Sequence, residues 1–134
     1  MVVLDTDFLI ALLQGDTRAI NKLKEIERKA GGSVAQRAYT TTVNVAELYK
    51  GVYRSTNSQK EASKVKQLLD SLELLVLDQE SARLVGELDA ATKSNAIGDL
   101  DLLIASIVMS NEESIITRNI KHFERIPNLN VDKW

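Results

Sequence analysis

The sequence predicts an α/β domain, a parallel sheet of four to five strands with helices on both faces, and three observations predict it. Short apolar or β-branched runs alternate with longer stretches whose apolar residues recur at helical spacing, the pattern of strand–helix–strand crossovers. The first run, Val2-Val3-Leu4, ends in Asp5-Thr6-Asp7 and passes at once into Phe8-Leu9-Ile10-Ala11-Leu12-Leu13. That is a buried strand feeding a helix, with Asp5 at the strand's carboxyl end. The 134 residues, 44% of them hydrophobic, suffice for one domain with a real core. No repeat, linker or low-complexity segment divides the chain, so a single domain over residues 1–134 is expected.

The remaining elements follow in order. The first helix covers Phe8–Gln14, with Gly15 as its stop and Asp16-Thr17 as the cap of the next. From Thr17 to Ala30, Ile20, Leu23 and Ile26 are spaced as one helical face among Lys22, Lys24, Glu25, Glu27, Arg28 and Lys29, an amphipathic surface helix. Gly31-Gly32-Ser33 ends it. Arg37 to Val43, containing Tyr39-Thr40-Thr41-Thr42, is aromatic and β-branched and reads as the second strand. Asn44 is the expected cap of a third helix from Val45 to about Tyr53, with Val45, Leu48, Tyr49 and Val52 on its apolar side and Glu47 in its first turn.

A polar break over Ser55–Gln59 precedes a fourth helix from Lys60 to Leu69, with Val65, Leu68 and Leu69 facing inward. Leu72 to Leu77 reads as the third strand, followed by Asp78. The fifth helix runs from about Gln79 to Lys93, with Ala82, Val85, Leu88 and Ala91 at helical spacing. After the break at Asn95-Ala96-Ile97-Gly98, Asp99-Leu100-Asp101 opens a sixth helix that is apolar nearly all round to Met109 and is therefore buried on several sides. Ser114–Thr117 is the fourth strand, with Arg118-Asn119 leaving its carboxyl end. Asn128–Val131, after the only proline, Pro127, is a short fifth.

Composition removes several kinds of chemistry. There is no cysteine, hence no disulfide, thiolate nucleophile or cysteine zinc site. His122 is the only histidine, so a metal-free pair of histidine acid and base cannot form within one chain. A formal charge of −2 means that nucleic acid would have to meet a local basic patch or a bound cation. The best such patch is Arg54, Lys60, Lys64 and Lys66, set against Glu61 alone. The longest apolar run falls well short of the roughly 20 residues that span a bilayer, and no basic leader with a cleavage site is visible, so a soluble, cytoplasmic protein is expected.

Four carboxylates stand at strand ends or helix starts: Asp5, Glu47, Asp99 and Asp101. In an open parallel sheet these positions share the carboxyl edge, where ligands bind at the point of strand-order reversal. Clustered carboxylates raise one another's pKa values, and a divalent cation is the natural offset. Mg²⁺ and Mn²⁺ suit such a set, because they take a few carboxylates plus waters and phosphate oxygens. Each acid also fits a plainer role. Asp5 and Asp99 could cap helices, and Glu47 could be a solvated partner of Lys50 and Arg54. Asp101 fits least well, since one helix start needs only one capping acid. His122 is expected at the surface or against a partner, and Tyr39, Tyr49 and Tyr53 in the core or at its rim.

These stretches carry a resemblance. The opening Val3-Leu4-Asp5-Thr6-Asp7-Phe8-Leu9-Ile10, the helix start Val45-Ala46-Glu47-Leu48, Ile97-Gly98-Asp99-Leu100-Asp101-Leu102-Leu103-Ile104-Ala105, and Ile116-Thr117-Arg118-Asn119 with Phe123 stand in the order and spacing of the PIN-domain ribonucleases. The ending, Phe123-Glu124-Arg125-Ile126-Pro127 through Val131-Asp132-Lys133-Trp134, is similar to the VapC-type toxins of prokaryotic toxin–antitoxin pairs within that family. The resemblance implies that Asp5, Glu47 and Asp101 form a metal-binding acidic cluster, with Asp99 a nearby further carboxylate and Thr6 a supporting hydroxyl. Thr117 and Asn119 support the same site, and Asn119 fills a position often acidic in the family. It implies RNA as substrate, cut in single-stranded or loop regions to leave a 5′-phosphate and a 3′-hydroxyl. It also implies a homodimer and an antitoxin whose C-terminal segment inserts near the active site.

Arg118, Arg54 and Lys64 are then the expected phosphate contacts. Two rival readings remain open to the sequence. One is a catalytically silent module of the same fold that binds RNA or protein. The other is a phosphatase using Asp5 as nucleophile, which would want a lysine after a later strand, whereas Lys93 ends a helix.

Overall fold

The structure, a computed structural model, describes residues 2–31, 38–93 and 97–134. The short apolar runs pair as β1 (Val2–Leu4), β2 (Tyr39–Thr41), β3 (Glu73–Leu75), β4 (Ser114–Ile116) and β5 (Asn130–Asp132). All neighbours are parallel, in the order β3-β2-β1-β4-β5. The chain therefore builds outward from β1 to one side and then returns to build on the other. Strand order reverses between β1 and β4, which opens a crevice beyond their carboxyl ends.

Helices cover both faces, as a fully buried parallel sheet requires. They are α1 (Thr6–Leu13), α2 (Thr17–Lys29), α3 (Thr42–Arg54), α4 (Ser58–Leu69), α5 (Gln79–Ala91), α6 (Asp99–Ser110) and the single turn α7 (Ile120–Phe123). Alternation along β1 divides the core in two. Val2 and Leu4 pack with Phe8, Leu9, Leu48, Val52 and Val65 on one face, while Val3 packs with Leu88, Leu102, Ile104, Ile115 and Phe123 on the other. The apolar character of α6 is explained by its setting, for Leu102 and every residue from Ile104 to Val108 are buried.

Several expected boundaries move, each for a local reason. Asn44 does not cap α3. Thr41 does, its hydroxyl accepting from the Asn44 N–H while the Asn44 side chain accepts from the Thr41 N–H, a reciprocal capping box. The helix thus begins at Thr42, β-branched residues included, and Glu47 lies in its second turn rather than its first. Likewise α1 begins at Thr6 instead of Phe8, and α4 at Ser58 with Asn57 accepting from the Lys60 N–H. β3 is an edge strand shorter than its apolar run, with Leu74, Val76 and Leu77 exposed. α5 stops at Ala91 and β5 runs to Asp132, while α7 was not expected at all. Gly15 ends α1 with φ +73°, a left-handed conformation that suits glycine. Gly32, Ser33, Arg37, Asn95 and Ala96, which carried an expected stop, a strand start and a break, lie outside the described residues.

Candidate active site

Asp5 is the first residue past β1, and its N–H donates to the Ile116 carbonyl at 3.1 Å, so β4 fixes its main chain. Its side chain makes no capping bond to α1. It is instead 6% exposed, with Oδ1 accepting from Asn44 Nδ2 at 2.9 Å and Oδ2 from the Thr117 hydroxyl at 2.6 Å. Burial lifts its pKa to about 6. The Thr117 bond works against that rise, and the charges of Asp7 and Glu47 add to it.

The same Asn44 amide also donates to the Thr6 hydroxyl at 3.0 Å, and that hydroxyl donates to Glu47 Oε1 at 2.7 Å. One buried amide thereby aligns Asp5 with the Thr6–Glu47 pair. Sequence reasoning missed this role because a helix-start Asn reads as a cap. Asn44→Ala is expected to destabilise the protein by about 3 kcal/mol, since it leaves a buried carboxylate oxygen without its donor. Urea unfolding measures it, and a change below about 0.5 kcal/mol would remove Asn44 from the framework of the site.

Asp99 and Asp101 lie in the first turn of α6, whose cap position is Gly98, so neither acid serves as the cap. Asp99 is exposed. Asp101 is half-buried, with Oδ2 2.9 Å from His122 Nδ1 and 3.4 Å from Asn119 Nδ2. His122 Nδ1 thus lies 2.9 Å from both Asp101 Oδ2 and Asn119 Nδ2. His122 is exposed, as expected of a surface residue, and stands at the rim of the site. Its spacing from Asn119, one turn of α7, was the signal available in the sequence. Thr117 joins the two halves, since its hydroxyl donates to Asp5 and accepts from the Asn119 N–H at 2.9 Å.

Asp7, given no role by the sequence, holds the outer wall. Its Oδ2 accepts from the Arg118 N–H at 3.0 Å, with the Thr117 hydroxyl at 3.2 Å, and its Oδ1 accepts from the Trp134 indole at 3.3 Å. Of the expected phosphate contacts, only Arg118 stands directly beside this group. Lys64 lines a cavity of about 390 Å³ with Glu47, Leu13, Leu48 and Val52, and is paired with Glu61 at 3.5 Å. Arg54, at the end of α3, is exposed and does not line that cavity.

Among the described residues no three acidic or histidine side chains converge into a ready metal cage. The donor set nevertheless fits a hard cation. Its donors are carboxylate oxygens, Mg²⁺ ordinarily binds through one or two carboxylates and keeps several waters, and the hydrogen-bond partners of buried Asp5, namely Asn44, Thr117 and the Thr6 backbone, are all neutral.

Carboxylates at the carboxyl edge beside the switch point of a five-stranded parallel α/β sheet place the candidate site where domains of this class bind their ligands. The sequence profile of the PIN domain matches residues 2–129, and the chain belongs to that family. Ribonuclease VapC2 of Rickettsia felis is 35% identical over 96 residues, covering 70% of this chain and 72% of that protein. The tRNA(fMet)-specific endonuclease VapC of Salmonella typhimurium is 28% identical over 96 residues, covering 70% of this chain and 73% of its own. Among solved structures, VapBC2 from Rickettsia felis bound to a DNA fragment from their promoter aligns over 100% of this chain and 99% of that one, with a TM-score of 0.88 and 28% identity.

Proposed function

We propose that the protein is the toxin of a VapBC-type pair, an endoribonuclease that hydrolyses RNA phosphodiesters with the help of Mg²⁺ or Mn²⁺. The observation that carries the metal is Asp5, a buried carboxylate whose partners are neutral and whose neighbours Asp7 and Glu47 are acidic. Similarity to VapC ribonucleases along the chain supports the substrate class.

In this reading Asp5, Glu47 and Asp101 would hold the cation, directly or through waters, and Asp99 would be a peripheral acid. When bound, the cation supplies Lewis-acid stabilisation of charge on the phosphate and makes a water acidic enough to attack near neutral pH. The protein's part is alignment. Asn44 fixes one Asp5 oxygen and the Thr6 hydroxyl, Thr6 holds Glu47, and Thr117 fixes the second Asp5 oxygen. His122 and Asn119 hold Asp101. In-line attack by water leaves a 5′-phosphate and a 3′-hydroxyl.

An antitoxin is the expected partner, because similar solved structures are VapBC complexes. A homodimer is proposed too, with sedimentation as its check. The protein freed of any antitoxin should cleave RNA, tRNA included, in Mg²⁺ or Mn²⁺ and stop in EDTA, with phosphate on the 5′ ends. Cleavage that persists in EDTA, or that leaves cyclic phosphates, would overturn this mechanism.

A further inference from the structure

Trp134, the chain's only tryptophan, lies against the candidate site rather than in the core proper. Its indole N–H donates to Asp7, its ring meets Phe8 edge-on at 5.0 Å between centroids, and the Arg118 guanidinium sits 3.6 Å from its ring centroid. Arg118 is held a second time through its main chain, whose N–H donates to the other Asp7 oxygen. The residue before it, Thr117, touches Asp5. A long, mobile cation has thus been fixed one residue from the centre of the site.

The guanidinium keeps much of its charge open to solvent. Its side chain is 47% exposed, and its ion pair with Asp16 is long at 3.9 Å, beyond hydrogen-bond reach. Asp16 is meanwhile committed to capping α2, accepting from the N–H groups of Arg18 and Ala19. On α4, for comparison, Lys64 pairs with Glu61 at 3.5 Å and Lys66 with Asp70 at 3.4 Å. A planar fork of N–H donors held against an aromatic face is well matched to a phosphodiester, and the side-chain freedom that binding would cost is already restricted.

We infer that Arg118, braced on Trp134, is a preformed clamp for a backbone phosphate of the RNA strand beside the one that is cut, with Trp134 as its positioning residue. The inference rests on the ribonuclease reading above.

Trp134 reports on its own test. In EDTA, where no cleavage occurs, a single-stranded RNA carrying a fluorescent end label is titrated with the full chain, and both label anisotropy and Trp134 emission are followed. RNA binding should change the emission in step with the anisotropy. Arg118→Gln should weaken binding about tenfold and flatten the dependence of affinity on salt by about one phosphate contact. Trp134→Ala should weaken binding similarly, Trp134→Phe should restore most of it, and the Arg118→Gln, Trp134→Ala double variant should be no weaker than either alone. If Trp134→Ala fails to fold, Arg118→Gln and Trp134→Phe carry the test. Emission that stays constant while RNA binds, or wild-type affinity and salt slope in Arg118→Gln, overturns the clamp and leaves metal-dependent cleavage untouched. Absence of RNA binding overturns the clamp as well, whereas the ribonuclease reading itself falls only if the metal-loaded protein cleaves no RNA.

Discussion

Asp101→Asn is expected to lower RNA cleavage at saturating metal by about 100- to 1,000-fold, the scale on which a lost charge-stabilising group is felt. The fold should not change. The substitution is isosteric, the helix it sits on is capped at Gly98 rather than by this acid, and an amide, with an oxygen to accept and an N–H to donate, can still meet His122 Nδ1. What is removed is one negative charge at the carboxyl edge. Asp99→Asn, two residues earlier and exposed, should change the rate by less than about threefold, because a solvated charge interacts weakly with the centre. Initial rates across a metal titration separate the two variants. Equal losses in both would mean that the helix start acts through its total charge and not through Asp101, and a wild-type rate in Asp101→Asn would remove α6 from the site.

The burial of α6 is legible in the sequence: its apolar run places Leu102 and Ile104 to Val108 in the core, and its cap position is Gly98, so Asp99 and Asp101 are both spare for other roles. Asp5 was legible for the same kind of reason, since the strand that precedes it is central and its carboxyl end opens on the switch point. The supporting groups were not. Asn44 and Thr41 exchange roles within one capping box, a choice set by the β2–α3 junction rather than by either residue's propensity. Asp7, His122 and Trp134 come to the edge through contacts spanning 110, 21 and 127 positions of chain respectively. Apart from the one-turn spacing of His122 from Asn119, local spacing holds no trace of such pairings. In the basic run before α4 and along it, Lys64 and Lys66 find partners one turn away, Glu61 and Asp70.

Asp5→Asn should both abolish metal binding and stabilise the metal-free protein, and the second effect carries a pH signature. The folded-state pKa of Asp5 is about 6, above the usual carboxylate value, so the folded protein holds this proton more tightly than the unfolded chain does. Below about pH 4 the carboxyl is protonated in both states and its burial adds no charge penalty. As pH rises through about 6 the folded state must ionise a buried group, and about 3 kcal/mol of stability is lost and stays lost above that range. Asparagine escapes this loss without breaking the network. Its oxygen still accepts from Asn44, its amide donates to the Thr117 oxygen, and the Thr117 proton turns to Asp7 at 3.2 Å. In EDTA the stability difference between Asp5→Asn and wild type should therefore be near zero at pH 4 and grow to about 2–3 kcal/mol in favour of the variant by pH 7.5. Urea unfolding at both pH values measures it, and comparison of the pair cancels the titration of groups common to both. Mn²⁺ added at pH 7.5 should reverse the order, stabilising wild type by about 2.7 kcal/mol at a hundredfold excess over its dissociation constant and leaving Asp5→Asn unmoved. A variant that is less stable than wild type at every pH would mean that the Asp5 charge is balanced within the fold, and the physical case for a cation at this edge would go with it.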